Sequence, residues 1–261
     1  MGRIIAIANQ KGGVGKTTTS INLAASLVKT RRRVLLVDLD PQGNATMGSG
    51  VNKTGIRTSS YEILLGLAPI EHARLPTEGG YDLVPANSRL SGAEVELIEL
   101  ERRERRLRTA LEALHDAYDY VLIDCPPALN LLTVNALTAA DAILIPMQCE
   151  YYALEGLTAL LNTVRKVREA LNPKLEIEGL LRTMFDPRNN LDNEVSAQLK
   201  DHFGDKLFRT IIPRNVRLAE APSHGKPVIV YDLQSKGAQA YLALAGEMLR
   251  RSETTTEEAV A

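Results

Sequence analysis

Eight consecutive residues, Lys11-Gly12-Gly13-Val14-Gly15-Lys16-Thr17-Thr18, carry the groups that grip a phosphate chain. Gly12, Gly13 and Gly15 let the backbone curl with several N–H groups aimed inward, where side chains would obstruct the curl or force unfavourable backbone angles. Lys16 opens an apolar-periodic run, so its ammonium and the dipole of a helix N-terminus act on the same anion. The Thr17 hydroxyl follows where a magnesium ligand is needed. Gln10 holds the first glycine position of the pattern Gly-x-x-x-x-Gly-Lys-Thr, and Lys11 adds a second cation at the start. The expected ligands are ATP and Mg2+, with residues 11–18 around the phosphates. A ligand-free glycine-rich turn would need neither the lysine–threonine pair nor a helix placed directly behind it. Lys11 taken alone is either a solvated surface lysine or a second phosphate cation.

Hydrolysis also needs carboxylates, one to help hold the metal and one to orient a water in line with the γ-phosphate. Val121-Leu122-Ile123-Asp124 puts Asp124 at the carboxyl end of an apolar strand. Asp38-Leu39-Asp40-Pro41-Gln42-Gly43-Asn44 brings Asp38 and Asp40 to the end of another. A lone Asp at such a place is as readily a turn cap. Three of them facing one phosphate loop favour chemistry. Asp124 is assigned to the metal with Thr17, Asp40 to the water and the metal's surroundings, and Asp38 to the geometry of the loop.

These residues need a sheet whose strand ends gather at one edge. Apolar runs alternate with helical spacing along the chain. Strands are expected at Arg3–Asn9, Arg33–Asp38, Tyr81–Pro85, Tyr120–Asp124, Ala142–Met147, Ile177–Met184 and Thr210–Pro213. Helices are expected at Lys16–Thr30, Leu90–Ala117, Leu154–Leu171, Asn193–Phe203 and Ala238–Arg251. Continuously apolar strands are covered on both faces, so the expected fold class is α/β: a doubly wound, mostly parallel sheet with helices on both faces, binding ligand at the strands' carboxyl ends. Residues 1–251 read as a single phosphate-loop ATPase domain and 252–261 as a flexible polar tail.

The formal net charge of the 261 residues is -1 and 24% are charged, which excludes a polybasic nucleic-acid binder and leaves only a local patch for such contacts. The run Arg102–Arg108 alternates with glutamates and reads as an exposed helix face. Cys125 and Cys149, in apolar runs, read as buried reduced thiols. No apolar stretch is long enough to span a bilayer. Met1-Gly2-Arg3-Ile4-Ile5 runs straight into a strand, and Ala6 stands where myristoylation would want Ser or Thr. The expected compartment is the cytoplasm, with no membrane partner.

Lys-Gly-Gly-Val-Gly-Lys-Thr-Thr, Asp-Leu-Asp-Pro-Gln-Gly-Asn and Leu-Ile-Asp-Cys-Pro-Pro together resemble the deviant phosphate-loop ATPases of the ParA type. The likeness is closest to the chromosomal subgroup often called Soj, and it continues through residues 211–227, covering about Arg3 to Arg250. The resemblance implies a slow ATPase that pairs face to face when ATP-bound. Lys11 then crosses to the partner's phosphates, and Gly12 lies at the junction, where a side chain would block pairing. It implies adenine contacts from Met184, Pro213 and Asn215, although Pro213 serves equally as a strand terminator. It implies nonspecific double-stranded DNA binding through Arg188 and Arg217, with Arg214, Lys226 and Lys236 as additions. Any one of these cations could equally be a solvated charge. A ParB-type centromere-binding protein as stimulator, association with the nucleoid, and a role in partitioning a chromosome or plasmid are implied by the resemblance alone.

Rivals sharing the loop fit less well. A membrane-cycling ATPase of the MinD type wants a basic amphipathic C-terminal helix, and residues 252–258 are acidic. A nitrogenase-type iron protein wants cysteines at the subunit junction. An ATP-dependent metabolic ligase such as dethiobiotin synthetase is the alternative from another class.

Overall fold

The computed structural model describes residues 2–114, 116–151 and 153–260. Met1 and Ala261, the outer ends of the expected domain and tail, and His115, inside the helix expected over Leu90–Ala117, lie outside the described residues. The chain opens with β1 (Arg3–Ile7), α1 (Lys16–Lys29), β2 (Val34–Asp38), α2 (Asn44–Gly48), α3 (Ser60–Leu65), β3 (Leu75–Pro76) and β4 (Asp82–Val84). It continues through α4 (Leu90–Ile98), α5 (Arg106–Glu112), β5 (Tyr120–Asp124), α6 (Leu131–Ala139), β6 (Ala142–Met147) and α7 (Ala153–Ala170). It ends with β7 (Glu176–Phe185), α8 (Asn190–Phe203), β8 (Leu207–Pro213), α9 (Val216–Glu220), α10 (Val228–Tyr231) and α11 (Lys236–Val260).

These strands form one eight-stranded sheet in the order β3-β4-β2-β5-β1-β6-β7-β8. Only the two-residue β3 runs antiparallel to its neighbour. The alternation of side chains along each strand divides the core between two faces. Ile5, Ile7, Leu36, Leu122 and Leu144 pack under α1 and α11 with Leu23, Leu27, Tyr241 and Leu244. Ile4, Ala6, Leu35, Val37, Ile123 and Ile143 pack on the other side with Leu64, Leu97, Leu111, Leu137 and Leu160. The doubly wound, mostly parallel sheet expected from the sequence is the fold of the chain.

Three central strands position the candidate site. β5 lies between β2 and β1, and Asp124 is in register with Asp38 on one side and Ile7 on the other. The loop after β1 and both acidic strand ends therefore meet at one edge. β1 feeds its crossover towards β2 while β6 lies on its other side, the arrangement that opens a crevice at the carboxyl ends.

The helix expected over Leu90–Ala117 is divided. The backbone turns left-handed at Arg102, φ 52°, and restarts at Arg106. Asn135 on α6 explains the restart: its amide donates to Arg103 O at 2.8 Å, and its carbonyl accepts from Leu107 N at 3.2 Å. The reading of Arg102–Arg108 as an exposed face is corrected in part. Arg106 reaches back to the last carbonyls of α3, donating to Leu64 O and Leu65 O at 2.9 and 3.0 Å. At the far end, the helical backbone of α11 runs on to Val260, through residues set apart as a polar tail.

Candidate functional site

The turn from β1 into α1 has the backbone that its glycines allow. Gly13 and Gly15 sit at φ 75° and 85°, and Gly15 is the N-cap of α1 with no side-chain bond closing the helix end. The first N–H groups of α1 are thus left for an anion. A Cβ added at Gly15 would meet Thr183 at 3.7 Å, whereas one added at Gly12 would meet nothing within 4 Å.

The loop is bolted from behind by residues that sequence reading passed over. Thr183, buried near the end of β7, donates to Val14 O at 2.8 Å and to Met147 O at 3.1 Å. Asn9 donates to Pro146 O at 2.8 Å and accepts from Lys11 N at 3.0 Å. Gln148 reaches Gly13 O at 3.4 Å and the Met184 sulfur at 3.1 Å. A usable signal existed for Thr183, a polar residue near the carboxyl end of an otherwise apolar strand.

Both loop lysines are engaged within the chain. Lys16 is buried, and its ammonium donates to Lys11 O at 3.0 Å. Burial pushes its pKa down, opposed first by the charge of Asp124. Lys11 lies at the rim with its side chain 40% exposed and is paired with Glu150, which nothing in the sequence singled out.

The carboxylates converge as the register requires. Asp124 accepts from the Thr17 and Ser20 hydroxyls, each at 2.8 Å. Asp38, fully buried, accepts from Asp40 N at 3.0 Å and from the Thr46 N–H and hydroxyl at 2.8 and 2.7 Å, which ties α2 to the end of β2. Asp40 accepts from Gln42 N at 2.9 Å. Burial pushes Asp38 and Asp124 above the usual carboxylate range, and in Asp124 the charge of Asp38 adds to it. Thr17 and Asp124 fit a magnesium ion. Both offer hard oxygen ligands, and they already face each other. Burial and the Asp38 charge disfavour the charged form of Asp124, which a bound cation would favour. Among the described residues no cluster of three or more His, Cys, Asp or Glu could hold a metal alone. Magnesium at nucleotide sites needs no such cluster, taking one or two protein oxygens and completing its shell from phosphate and water.

A pH dependence follows. With both shifts upward, the folded chain keeps a proton that the unfolded chain releases near its ordinary value of about 4. This contribution to stability is full below that pH and is lost as pH rises through the raised folded values. In the absence of magnesium, the urea midpoint is expected to fall more between pH 5 and pH 8 in the native chain than in Asp124→Asn. Equal slopes would contradict the placement.

Beside the phosphate loop, the ends of β7 and β8 are neighbours, with Phe185 in register with Pro213. Met184 there is left-handed at φ 50°. Asn215 follows, and its side-chain carbonyl is buried with no hydrogen-bond partner. The remaining cations lie outside this cluster. Arg188 is held by Asp186, Arg217 by Glu220 and Asp232, and Lys226 by Glu78. Arg214 and Lys236 are exposed. Cys125 and Cys149 are both free and buried. No helix of the described residues is long and apolar enough to cross a membrane.

The chain is similar to known proteins over nearly its whole length. A family model described as an AAA domain matches residues 2–177. The chain is 56% identical over 252 residues to the Caulobacter vibrioides chromosome partitioning protein ParA, covering 95% of this chain and 94% of that one. It is 57% identical over 249 residues to the Bacillus subtilis sporulation initiation inhibitor protein Soj, covering 95% and 98%. Among solved structures, a Mycobacterium smegmatis cobyrinic acid a,c-diamide synthase with a bound ATP analogue and magnesium is 38% identical with a TM-score of 0.87, covering 98% of this chain and 97% of that one.

Proposed function

Because this chain belongs to the ParA/Soj family of chromosome-partitioning ATPases, we propose that residues 1–251 work as one ATP-dependent switch that pairs, binds DNA and is reset by hydrolysis during partitioning of a chromosome or plasmid. One observation carries the reading: a phosphate loop whose rim presents an unobstructed Gly12 and a part-exposed Lys11 paired with Glu150, directly before the Thr17–Asp124 pair.

ATP is bound by the backbone of residues 12–18 and by Lys16, which exchanges Lys11 O for phosphate oxygens. Thr17, Asp124 and Asp40 hold or surround Mg2+, which when bound neutralises charge on the phosphates. The unpaired Asn215 carbonyl accepts from the exocyclic amine of adenine, with Met184 and Pro213 beside the base. Asp40, fixed by its turn, orients the attacking water.

Two loaded subunits close face to face. Lys11 leaves Glu150 for the partner's phosphates, a cation supplied in trans at the moment charge develops there. An exposed ion pair contributes only about 0–1 kcal/mol, so the exchange is readily offset by a multiply charged phosphate chain. The dimer then doubles a modest basic surface, including Arg188 and Arg217, and binds duplex DNA through its phosphates. A ParB-type centromere-binding protein stimulates hydrolysis, and the dimer separates. The chain works on the nucleoid, in the cytoplasm.

Gly12→Val tests the pairing step. A side chain there meets nothing in the isolated chain, so ATP affinity should stay within about twofold. Pairing should fail, with dimerisation weakened by about 100-fold, the scale of overpacking an interface core. A Gly12→Val protein that dimerises normally with ATP would rule out this junction. The metabolic-ligase reading predicts turnover that depends on a small-molecule substrate and is indifferent to DNA.

A further inference from the structure

The two arginines proposed to meet DNA are both already occupied. Arg188 grips Asp186 with a two-pronged contact, Nε to one carboxylate oxygen at 2.9 Å and a terminal nitrogen to the other at 2.8 Å. The carboxylate is fixed in turn, since Asp186 also accepts from Arg188 N at 3.0 Å. Arg217 is divided between two elements, meeting Glu220 on α9 at 2.7 Å and Asp232, just after α10, at 3.2 Å. Glu220 is steadied by the Tyr231 hydroxyl at 3.3 Å, and the Tyr231 ring stacks on His224. These pairs stand on adjoining strand ends, because Asp186 follows β7 and Arg217 follows β8, and those strands are hydrogen-bonded neighbours.

A fork of two parallel N–H···O bonds is the geometry in which arginine also receives a phosphate. The three carboxylates therefore occupy the donors that a DNA backbone would use. They also leave a negative charge beside any phosphate that displaces them. We propose that Asp186, Glu220 and Asp232 form an intramolecular gate on the DNA surface, standing in for backbone phosphate on Arg188 and Arg217 until a duplex competes for them. This deepens the proposed function and rests on its assignment of those two arginines.

The gate accounts for a balanced chain that still serves a polyanion. Each subunit's patch is nearly self-neutralised, so a single copy binds poorly, and only a paired surface offers enough sites to displace the carboxylates together. Ordinary changes of pH do not release Asp186 or Glu220. The Arg188 guanidinium holds Asp186 down at about 2, and Arg217 holds Glu220 below its usual range. Release therefore needs a competing anion.

The test is anisotropy of a labelled duplex at several salt concentrations, with ATP and magnesium, on the full chain. Asp186→Asn should tighten binding about two- to fivefold per subunit relieved, the scale of one exposed pair. The triple variant Asp186→Asn, Glu220→Gln, Asp232→Asn should tighten it by about tenfold or more and shift the salt midpoint upward. Its ATP hydrolysis without DNA should be unchanged. Arg188→Ala and Arg217→Ala are run alongside and should weaken binding. If the arginine variants weaken binding while the carboxylate variants leave it unchanged or weaken it, the acids position the arginines and the gate is refuted, with the surface intact. If the arginine variants have no effect, the surface assignment fails and the gate fails with it.

Discussion

Lys16→Ala is expected to weaken ATP binding by about 100-fold or more, a loss of about 3 kcal/mol or more. The ammonium is buried at the mouth of α1 and donates to Lys11 O at 3.0 Å. Burial lowers its pKa, so the charged form gains most from an incoming anion. Removing it leaves the phosphates to backbone N–H groups and the helix dipole alone, without the charge-assisted contact that makes such sites tight. Titration calorimetry measures the loss. Lys16→Gln serves as a second variant that keeps the buried stem, and native affinity in both would overturn the phosphate assignment.

Lys11→Ala should divide differently. Its ammonium sits at the rim on Glu150 and makes no hydrogen bond to its own loop among those described. ATP affinity of the single subunit is therefore expected to change by less than about threefold, while hydrolysis falls by about a thousandfold, the scale of a finger cation supplied in trans. Binding and single-turnover hydrolysis measured on the same preparation separate the two. Loss of affinity in step with loss of rate would mean that Lys11 serves its own nucleotide.

The legible parts of the molecule were those with short-range signatures. The phosphate loop, the aspartates at strand ends and the parallel sheet could be read because glycine curvature, strand apolarity and helix spacing are local properties. What escaped depends on contacts far apart in sequence. The break at Arg102 is set by Asn135 on another helix. The bolt on the phosphate loop comes from Thr183, well over a hundred residues beyond Val14. Glu150 acquires meaning only once β6 lies beside β1. α3 could have been found, since Ser59 and Glu62 form a capping box in which each side chain serves the other's backbone. α6 begins at an Asn130 cap and is buried almost all round, its polar Thr133, Asn135 and Thr138 included, so periodicity had no contrast to work with. Arg188 and Arg217 differ: Asp186 and Glu220 lie two and three residues away and were open to a local reading, and only Asp232 reaches Arg217 through packing.

ATP, and not ADP, is expected to assemble the chain into a pair. Sedimentation velocity of the purified protein with magnesium and either nucleotide tests it most directly, with labelled duplex added in a second run. The account predicts a doubling of mass with ATP, co-migration of DNA with that species alone, and a single subunit with ADP. A chain that binds ATP by calorimetry yet sediments identically with both nucleotides would contradict it.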